Sequence, residues 1–449
     1  MKRFFLSFDG TEKVSVCFIV GDVMNRTKPI SLWDTTSEER DYEATLDVAS
    51  GDIDVAIVGG GFTGLSTLLY ASKAGLSAHV LEAEHVGFGG SGRNVGLVNA
   101  GTWLPPQDVL KVLGESYGTR FVKTFGDGPS FVFDLIEKYQ IRCEATKTGT
   151  IHAAHSRKGF EDLRERHTEW QRLGEPVDLL DRNGIQNLTG TSAFYGGLFD
   201  HRAGTINPMA YCRGLARAGL GAGGKISTGV RATRLLRENN IWLVETDKGT
   251  VRAKSVVLGT NAYTDTLWPG LKKIFTTLNY FQFATKPLGE EAVHILPNRQ
   301  GLWDTGSIMF NVRRDQFDRL LIGSMGKVIG DKDRGLSARF ARKQIAKIFP
   351  ELSDVRFEEA WHGQIAMTPD HLPKIFQLAE GLFTPIGYNG RGITTGTIFG
   401  KAMADVLNGV STTSLPLPIS KTLKPARASA IISRLYNMAF TANQLRKAV

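Results

Sequence analysis

Apolar and polar positions along this chain recur with two different periods, and the switches between them mark its elements. Ile53 to Val58 (IDVAIV) is a short, β-branched apolar run that reads as a buried parallel strand. Phe62 to Ala74 has helical spacing with small residues on one side, and Ala78 to Glu82 is a second strand, so β-turn-α-β fits into about thirty residues. Farther on, Leu110 to Tyr139, Gly159 to Leu173, Asn207 to Ala218 and Leu336 to Ile348 are helical by spacing. Gly149 to Ala154 and Ser192 to Phe199 read as short strands, and Lys225 to Leu258 and Thr277 to Ser324 as runs of strands. Glu380 to Leu407 closes with strand, glycine turn and helix. Before Asp52 no period is sustained, which predicts an irregular N-terminal arm. In Lys424 to Val449, residues Ile431, Ile432, Leu435, Met438 and Ala439 recur at helical spacing; a helix packed on the protein or a partner is expected, with peripheral membrane contact as the alternative.

The first turn carries chemistry. In Gly59-Gly60-Gly61-Phe62-Thr63-Gly64, Gly59 permits a tight turn, Gly61 lets backbone approach a pyrophosphate, and Gly64 lets the helix pack closely on the sheet. Phosphates then sit over free N–H groups at the positive helix end. Glu82, at the tip of the second strand with Ala83 after it, is placed to accept hydrogen bonds from ribose hydroxyls. The loop from Gly87 to Gly96 (GFGGSGRNVG) offers Ser91, Gly92, Arg93, Asn94 and Val95 to wrap a diphosphate and ribityl chain. Near the C-terminus, Gly387-Tyr388-Asn389-Gly390-Arg391-Gly392-Ile393-Thr394 follows a strand and opens a helix, whose N–H donors and partial positive charge suit a flavin that turns negative on reduction. Together the two glycine segments predict FAD.

Size, charge and cysteine content narrow the class. A chain of 449 residues exceeds what one core organises, so two lobes are expected. Its formal net charge of +9 is spread among acids without a block of basic residues or a nucleic-acid motif, so no nucleic-acid partner is expected. Cys17, Cys143 and Cys212 are too few and too scattered for a disulfide framework or a zinc site; no metal is expected, and the compartment reads as a reducing cytoplasm. No apolar run reaches the ~18 residues a membrane span needs. The nucleotide-binding elements recur at the beginning, middle and end of the chain. They divide it into an N-terminal arm (1–50), FAD-binding parts at 51–110, 225–270 and 376–412, substrate-lobe parts at 111–224 and 271–375, and a C-terminal tail (413–449).

The combination of DVAIVGGGFTGLS, LEAEHVGFGGSGRNVGLVNAGTW, RAGTINPM, TPDHLP and GYNGRGITTGT resembles the D-amino-acid-oxidase superfamily of FAD-dependent amine and amino-acid oxidases, over residues 30 to 420. Within it the resemblance points to the γ-glutamylputrescine oxidase branch and especially its L-pipecolate oxidases. It implies an α/β (mixed α+β) fold, a Rossmann-like FAD lobe interleaved with a substrate lobe on a mixed β-sheet. It adds Ala232, Thr260 and Asn261 to the residues expected at the flavin. It also implies oxidation of a C–N bond in a small amine or amino acid, by hydride transfer from carbon to flavin N5. L-pipecolate, giving a piperideine carboxylate in lysine breakdown, is the expected substrate; γ-glutamylputrescine or another secondary amine is the alternative. Oxygen, or a membrane quinone or other carrier, is the expected acceptor, and the location is cytoplasmic, with the inner membrane's periphery as the variant.

Two departures from the family pattern matter. Some relatives attach flavin to a cysteine, but no cysteine here falls in a flavin motif, so FAD should be dissociable. The family's usual carboxylate arginine is missing, because Gly363-Gln364-Ile365-Ala366 stands before Pro369-Asp370. Arg313, on a strand where alternate residues share a face, and Arg391 are the candidate clamps. His201, Trp361, His362 and Tyr388 are the remaining pocket candidates.

Overall fold

The computed structural model describes residues 30–42 and 51–448; most of the N-terminal arm, Cys17 included, and Val449 lie outside the described residues. In chain order the elements begin with α1 (Leu32–Thr36), β1 (Ile53–Val58), α2 (Phe62–Lys73), β2 (Ala78–Leu81), β3 (Leu97–Val98), α3 (Pro106–Gly126), α4 (Gly128–Lys138) and β4 (Thr150–Ala153). Then come α5 (Arg157–Arg172), β5 (Val177–Leu180), α6 (Arg182–Thr189), β6 (Gly197–Asp200), β7 (Gly204–Thr205), α7 (Pro208–Gly221), β8 (Lys225–Ser227), β9 (Ala232–Glu238), β10 (Ile241–Thr246) and β11 (Gly249–Leu258). The chain continues through β12 (Thr276–Pro287), β13 (Gly301–Asp304), β14 (Phe310–Arg314), β15 (Arg319–Met325), α8 (Leu336–Ile348) and β16 (Phe357–Met367). It closes with β17 (Lys374–Ala379), β18 (Leu382–Ile386), α9 (Gly392–Leu407), β19 (Ile419–Ser420) and α10 (Ser429–Ala448).

Two large sheets organise these elements. The first runs β19-β17-β18-β11-β1-β2-β8, with β10 and β9 added as an antiparallel ribbon on β11. Its centre is parallel, β18, β11, β1, β2 and β8 all pairing in that sense. Central strands of such a sheet are covered on both faces, which explains why Val55 to Ile57 is a continuous apolar run with almost no exposure. The second sheet runs β16-β12-β15-β14-β13-β4-β6-β5 and is antiparallel except where β13 meets β4. The mixed α/β architecture is as the family resemblance implied.

Helices α2 and α9 pack closely because glycine and serine line their contact. A Cβ on Gly400 would stand 2.4 Å from Cβ of Ser66 and 2.6 Å from the Thr63 carbonyl oxygen. The Ser66 hydroxyl donates to the Thr397 carbonyl at 2.7 Å, and Thr63 Oγ1 lies 2.7 Å from the Tyr388 hydroxyl. The N-termini of both helices are thereby held side by side.

Several expectations need correcting. Leu110 to Tyr139 is two helices, α3 and α4, parted at Gly126–Gly128, and α3 is itself kinked at Gly114, where φ is +73°. The arm is not wholly irregular: α1 buries Trp33 completely. Residues 111–224, read from sequence as one block, contribute to both layers, because α4 and α7 pack on α9 and α2 whereas β4 to β6 join the second sheet.

Candidate active site

One cavity of about 340 Å³ runs between the two sheets. Its far end is formed by Glu82, Ala83, Val230, Arg231 and Ala232; its middle by Gly59 to Thr63, Ser91, Asn94, Thr260 and Asn261; its near end by Gly390 to Ile393 and the second sheet.

The far end and middle form a cradle of backbone. Gly59 has φ +106°, and a Cβ on Gly64 would stand 1.9 Å from the Gly59 carbonyl oxygen, so only glycine allows helix and strand to approach this closely. A Cβ on Gly61 would meet Ser91 Oγ at 2.7 Å, the same hydroxyl that accepts the Phe62 N–H at 3.1 Å. The Glu82 carboxylate accepts from the Gly60 N–H at 2.6 Å and from the Glu84 N–H at 2.9 Å. Burial pushes its pKa up, with those two bonds opposing. Asn94 folds its loop on itself, donating to Ser91 O at 2.7 Å while its Oδ1 accepts the Gly96 N–H at 2.8 Å.

That loop is also fastened from outside. Ser31 Oγ donates to Gly92 O at 2.8 Å, Trp33 Nε1 to Asn94 O at 2.8 Å, and Trp361 Nε1 to Arg93 O at 2.8 Å. Arg313 Nη1 donates to Ile206 O at 2.7 Å and Val95 O at 3.2 Å, with its guanidinium 5.0 Å from the Trp33 ring centre. Arg313 and Trp361 thus hold the loop and do not line the cavity, which corrects their reading as substrate contacts. His201 is on the surface, 2.6 Å from Asp178, and His362 is exposed; neither reaches the cavity. Tyr388 lines it, and its hydroxyl is already engaged by Thr63 and by the Pro385 carbonyl at 3.2 Å. Gly64, Gly92, Arg93, Gly387, Asn389 and Thr394 stand behind the wall. Asn389, at φ +52°, shapes the turn by donating to Gly387 O at 2.7 Å and accepting the Thr368 N–H at 2.8 Å.

The near end is different in kind. Arg391 is 7% exposed, with its guanidinium 5.0 Å from the ring centres of both Trp103 and Trp303. His152 stacks on Trp303 with ring centres 4.9 Å apart. Burial and then the charge of Arg166 pull the Arg391 pKa down to about 9, while Asp200 opposes. Two aromatic faces stabilise a desolvated guanidinium by about 2 kcal/mol or more, but they offer it no hydrogen-bond acceptor. Its Nη1 is buried and has no partner among the described residues.

The facing wall repeats that condition. Gln282 and Asn311 both pair with Gly323, one from each side, and Asn311 pairs in turn with Trp303. Residues opposite one another across strands share a face, so Gln282, Asn311 and Trp303 form one row on the cavity side. Gly323 makes room in it, since a Cβ there would stand 2.1 Å from Gln282 Nε2. Gln282 Oε1, Asn311 Oδ1, Trp303 Nε1 and, two residues along from Gln282, the Tyr280 hydroxyl are all buried without a partner among the described residues. Native interiors leave few such atoms unsatisfied, and their convergence on one cavity marks where a ligand completes them. Sequence reading missed this row. Arg313, offered on the alternation of its strand, stands one pleat repeat, about 7 Å, along β14 from Asn311.

The cradle fits FAD: glycines clear a channel of backbone from the Glu82 end to the start of α9, and the Glu82 carboxylate closes its far end. Comparison with known proteins agrees. Residues 54–406 match the family described as DAO, FAD dependent oxidoreductase. The γ-glutamylputrescine oxidoreductase of Escherichia coli (strain K12) is 32% identical over 364 residues, 79% of this chain and 84% of the relative. A probable oxidoreductase, OrdL, of Rhizobium meliloti (strain 1021) is 29% identical over 394 residues, 85% and 90% of the two chains. The crystal structure of glycine oxidase from Geobacillus kaustophilus superposes with a TM-score of 0.70 at 19% identity, covering 84% of this chain and all of that one.

Proposed function

This chain belongs to the DAO family of FAD-dependent oxidoreductases, enzymes acting on the C–N bond of amines and amino acids, and from that premise we propose that its substrate is an amine that also bears a carboxylate. The observation that carries this is Arg391: a buried guanidinium in the cavity with an unpaired Nη1, flanked by two tryptophans. A carboxylate there gains a charge-assisted hydrogen bond and satisfies the orphaned donor, a contact worth about 1.5–3 kcal/mol. The residues read as flavin contacts that line the cavity, from Gly59 to Ile393 with the Arg391 side chain set aside, are proposed to keep that role.

Each group at the near end then has a task. Arg391 and Trp303 Nε1 donate to the carboxylate. Gln282 Oε1 and Asn311 Oδ1 accept N–H groups of the substrate and aim its nitrogen. Neither amide is a base, and the described lining residues on this second sheet include no carboxylate or histidine, so the amine must arrive uncharged or lose its proton to solvent. FAD, when bound, supplies the two-electron acceptor. We propose that it is held without a covalent bond, since Cys143 and Cys212 are buried and their burial pushes both thiols far above the ordinary range. Acid precipitation should therefore leave the colour in the supernatant.

Between the two narrower readings, the relative named γ-glutamylputrescine oxidoreductase favours a γ-glutamyl amine over L-pipecolate, and both fit the clamp by carrying a carboxylate. Anaerobic flavin reduction separates them. γ-Glutamylputrescine should reduce the flavin faster than L-pipecolate, and putrescine, which lacks the carboxylate, should be slowest. Faster reduction by L-pipecolate would restore the cyclic amino acid as substrate, and putrescine matching γ-glutamylputrescine would remove the clamp.

A further inference from the structure

The helix α10 is built the wrong way round for a surface helix. Its packed side is largely polar: Ser433 Oγ donates to the Thr277 carbonyl, Asn279 Nδ2 donates to Asn437 Oδ1 at 2.7 Å, and Ser337 Oγ donates to Gln444 Oε1 at 2.6 Å, with Phe440 buried between them. Its outer side is apolar. Ile431, Leu435, Met438 and Leu445 are 61%, 59%, 67% and 51% exposed. At 3.6 residues per turn these four fall within about 40° of one line along the helix, and Arg434 and Arg446 flank that line at about 60° on either side. The polar anchors fix this orientation, so the stripe cannot turn inward. An ordered apolar stripe rimmed by charge is an interaction surface.

The charge selects its partner. From Val406 to the last described residue the sequence contains no Asp or Glu, while Lys421, Lys424, Arg427, Arg434 and Arg446 are all exposed. A second copy docked stripe to stripe would bring two such basic surfaces together without an acid between them. An anionic bilayer meets both requirements, taking the apolar side chains into its acyl boundary and the arginines among its headgroups. We propose that α10 docks this protein on an anionic membrane surface, lying in its plane. No helix among the described residues, α10 included, is long and apolar enough to cross a membrane. This inference stands apart from the substrate reading and does not depend on it.

Flotation of the FAD-loaded protein with vesicles tests it. The protein should float with phosphatidylcholine vesicles containing phosphatidylglycerol and not with phosphatidylcholine alone, and salt should reverse the binding. Leu435→Ser with Met438→Ser should weaken binding more than about tenfold. Arg434→Gln with Arg446→Gln should weaken it about fivefold for each arginine removed. Parental flavin content and melting temperature in both variants would show that the fold is intact, as expected for exposed positions. No flotation with phosphatidylglycerol vesicles at low salt would overturn the proposal. So would flotation unchanged in the serine variant, or a dimer that the serine variant dissociates, which would assign the stripe to a second copy.

Discussion

The two ends of the cavity are built on opposite rules. At the Glu82 end the walls are backbone, and the side chains that approach it are already satisfied: Glu82 by two N–H groups, Ser91 by Phe62, Asn94 by its own loop. At the Arg391 end the walls are side chains, and Arg391, Trp303, Gln282, Asn311 and Tyr280 each keep a buried polar atom without a partner among the described residues. The first end is finished before its ligand arrives; the second is completed by its ligand. A site of the first kind holds a resident cofactor by shape and helix-terminal N–H groups. A site of the second kind discriminates, because a substrate lacking the matching group leaves the orphaned atom unpaired.

The largest effects should follow from breaking the backbone end. A Cβ on Gly64 meets a carbonyl oxygen of the strand turn, whereas a Cβ on Gly61 meets only the hydroxyl of Ser91. Gly64→Ala should therefore abolish FAD binding or the fold of the turn, while Gly61→Ala should retain flavin after Ser91 rotates and Gly61→Leu should not. Flavin absorbance per protein in the three purified variants checks this. Equal flavin in Gly64→Ala and the parent would show that the close approach is not needed.

The same contrast explains what could be read in the sequence. The cradle is local: strand, turn, helix and second strand lie within Ile53 to Glu82, and the strand, helix and glycine positions assigned from that segment match the structure to within a residue. The substrate wall is not. Its row takes Gln282 from β12, Asn311 from β14 and Trp303 from β13; Asn311 meets Trp303 through the β13–β14 register, and Gln282 joins them through the register of β15 between β12 and β14. No period along the chain encodes that register. Trp103 and Trp303 likewise meet across 200 residues of sequence to enclose Arg391. The clamp of the 91–96 loop was illegible for the same reason, since Ser31, Trp33, Arg313 and Trp361 come from three separate segments.

Next in size is the loss of the clamp. Arg391→Met keeps the volume between the two tryptophans and removes the charge. KM for a carboxylate-bearing substrate should rise roughly ten- to hundredfold, from the loss of a charge-assisted bond. Flavin content should not change, because the cradle does not depend on this side chain. A KM within a factor of two of the parent would place the carboxylate elsewhere.

A smaller effect concerns a carboxyl group beside the same wall. Asp304 follows Trp303 on β13, accepts the Phe310 N–H at 2.9 Å, and is held up at about 6 by burial. Its folded pKa lies above its unfolded value near 3.8, so this group costs no stability below about pH 4. The cost grows as pH rises towards 6 and is complete above it, at about 1–3 kcal/mol. Asp304→Asn retains the acceptor and removes the charge. Its melting temperature should exceed the parent's at pH 7 and converge with it near pH 4. Parallel curves across that range would show that the carboxyl titrates normally.

The smallest effect is the most direct test of an incomplete wall. If Asn311 Oδ1 awaits a substrate N–H, the free protein carries a buried unpaired acceptor, and replacing it by an apolar group of similar volume should relieve that desolvation. Asn311→Leu should then stabilise the unliganded protein by about 1 kcal/mol while weakening substrate binding by a similar amount. The same exchange at Asn94, whose amide is spent on Ser91, Gly90 and Gly96, should destabilise instead, because it breaks bonds already made. Opposite signs for two asparagines lining one cavity are expected only if one end is finished and the other is not. Loss of stability in both variants would mean that Asn311, too, is satisfied within the protein, and the row would then be structural.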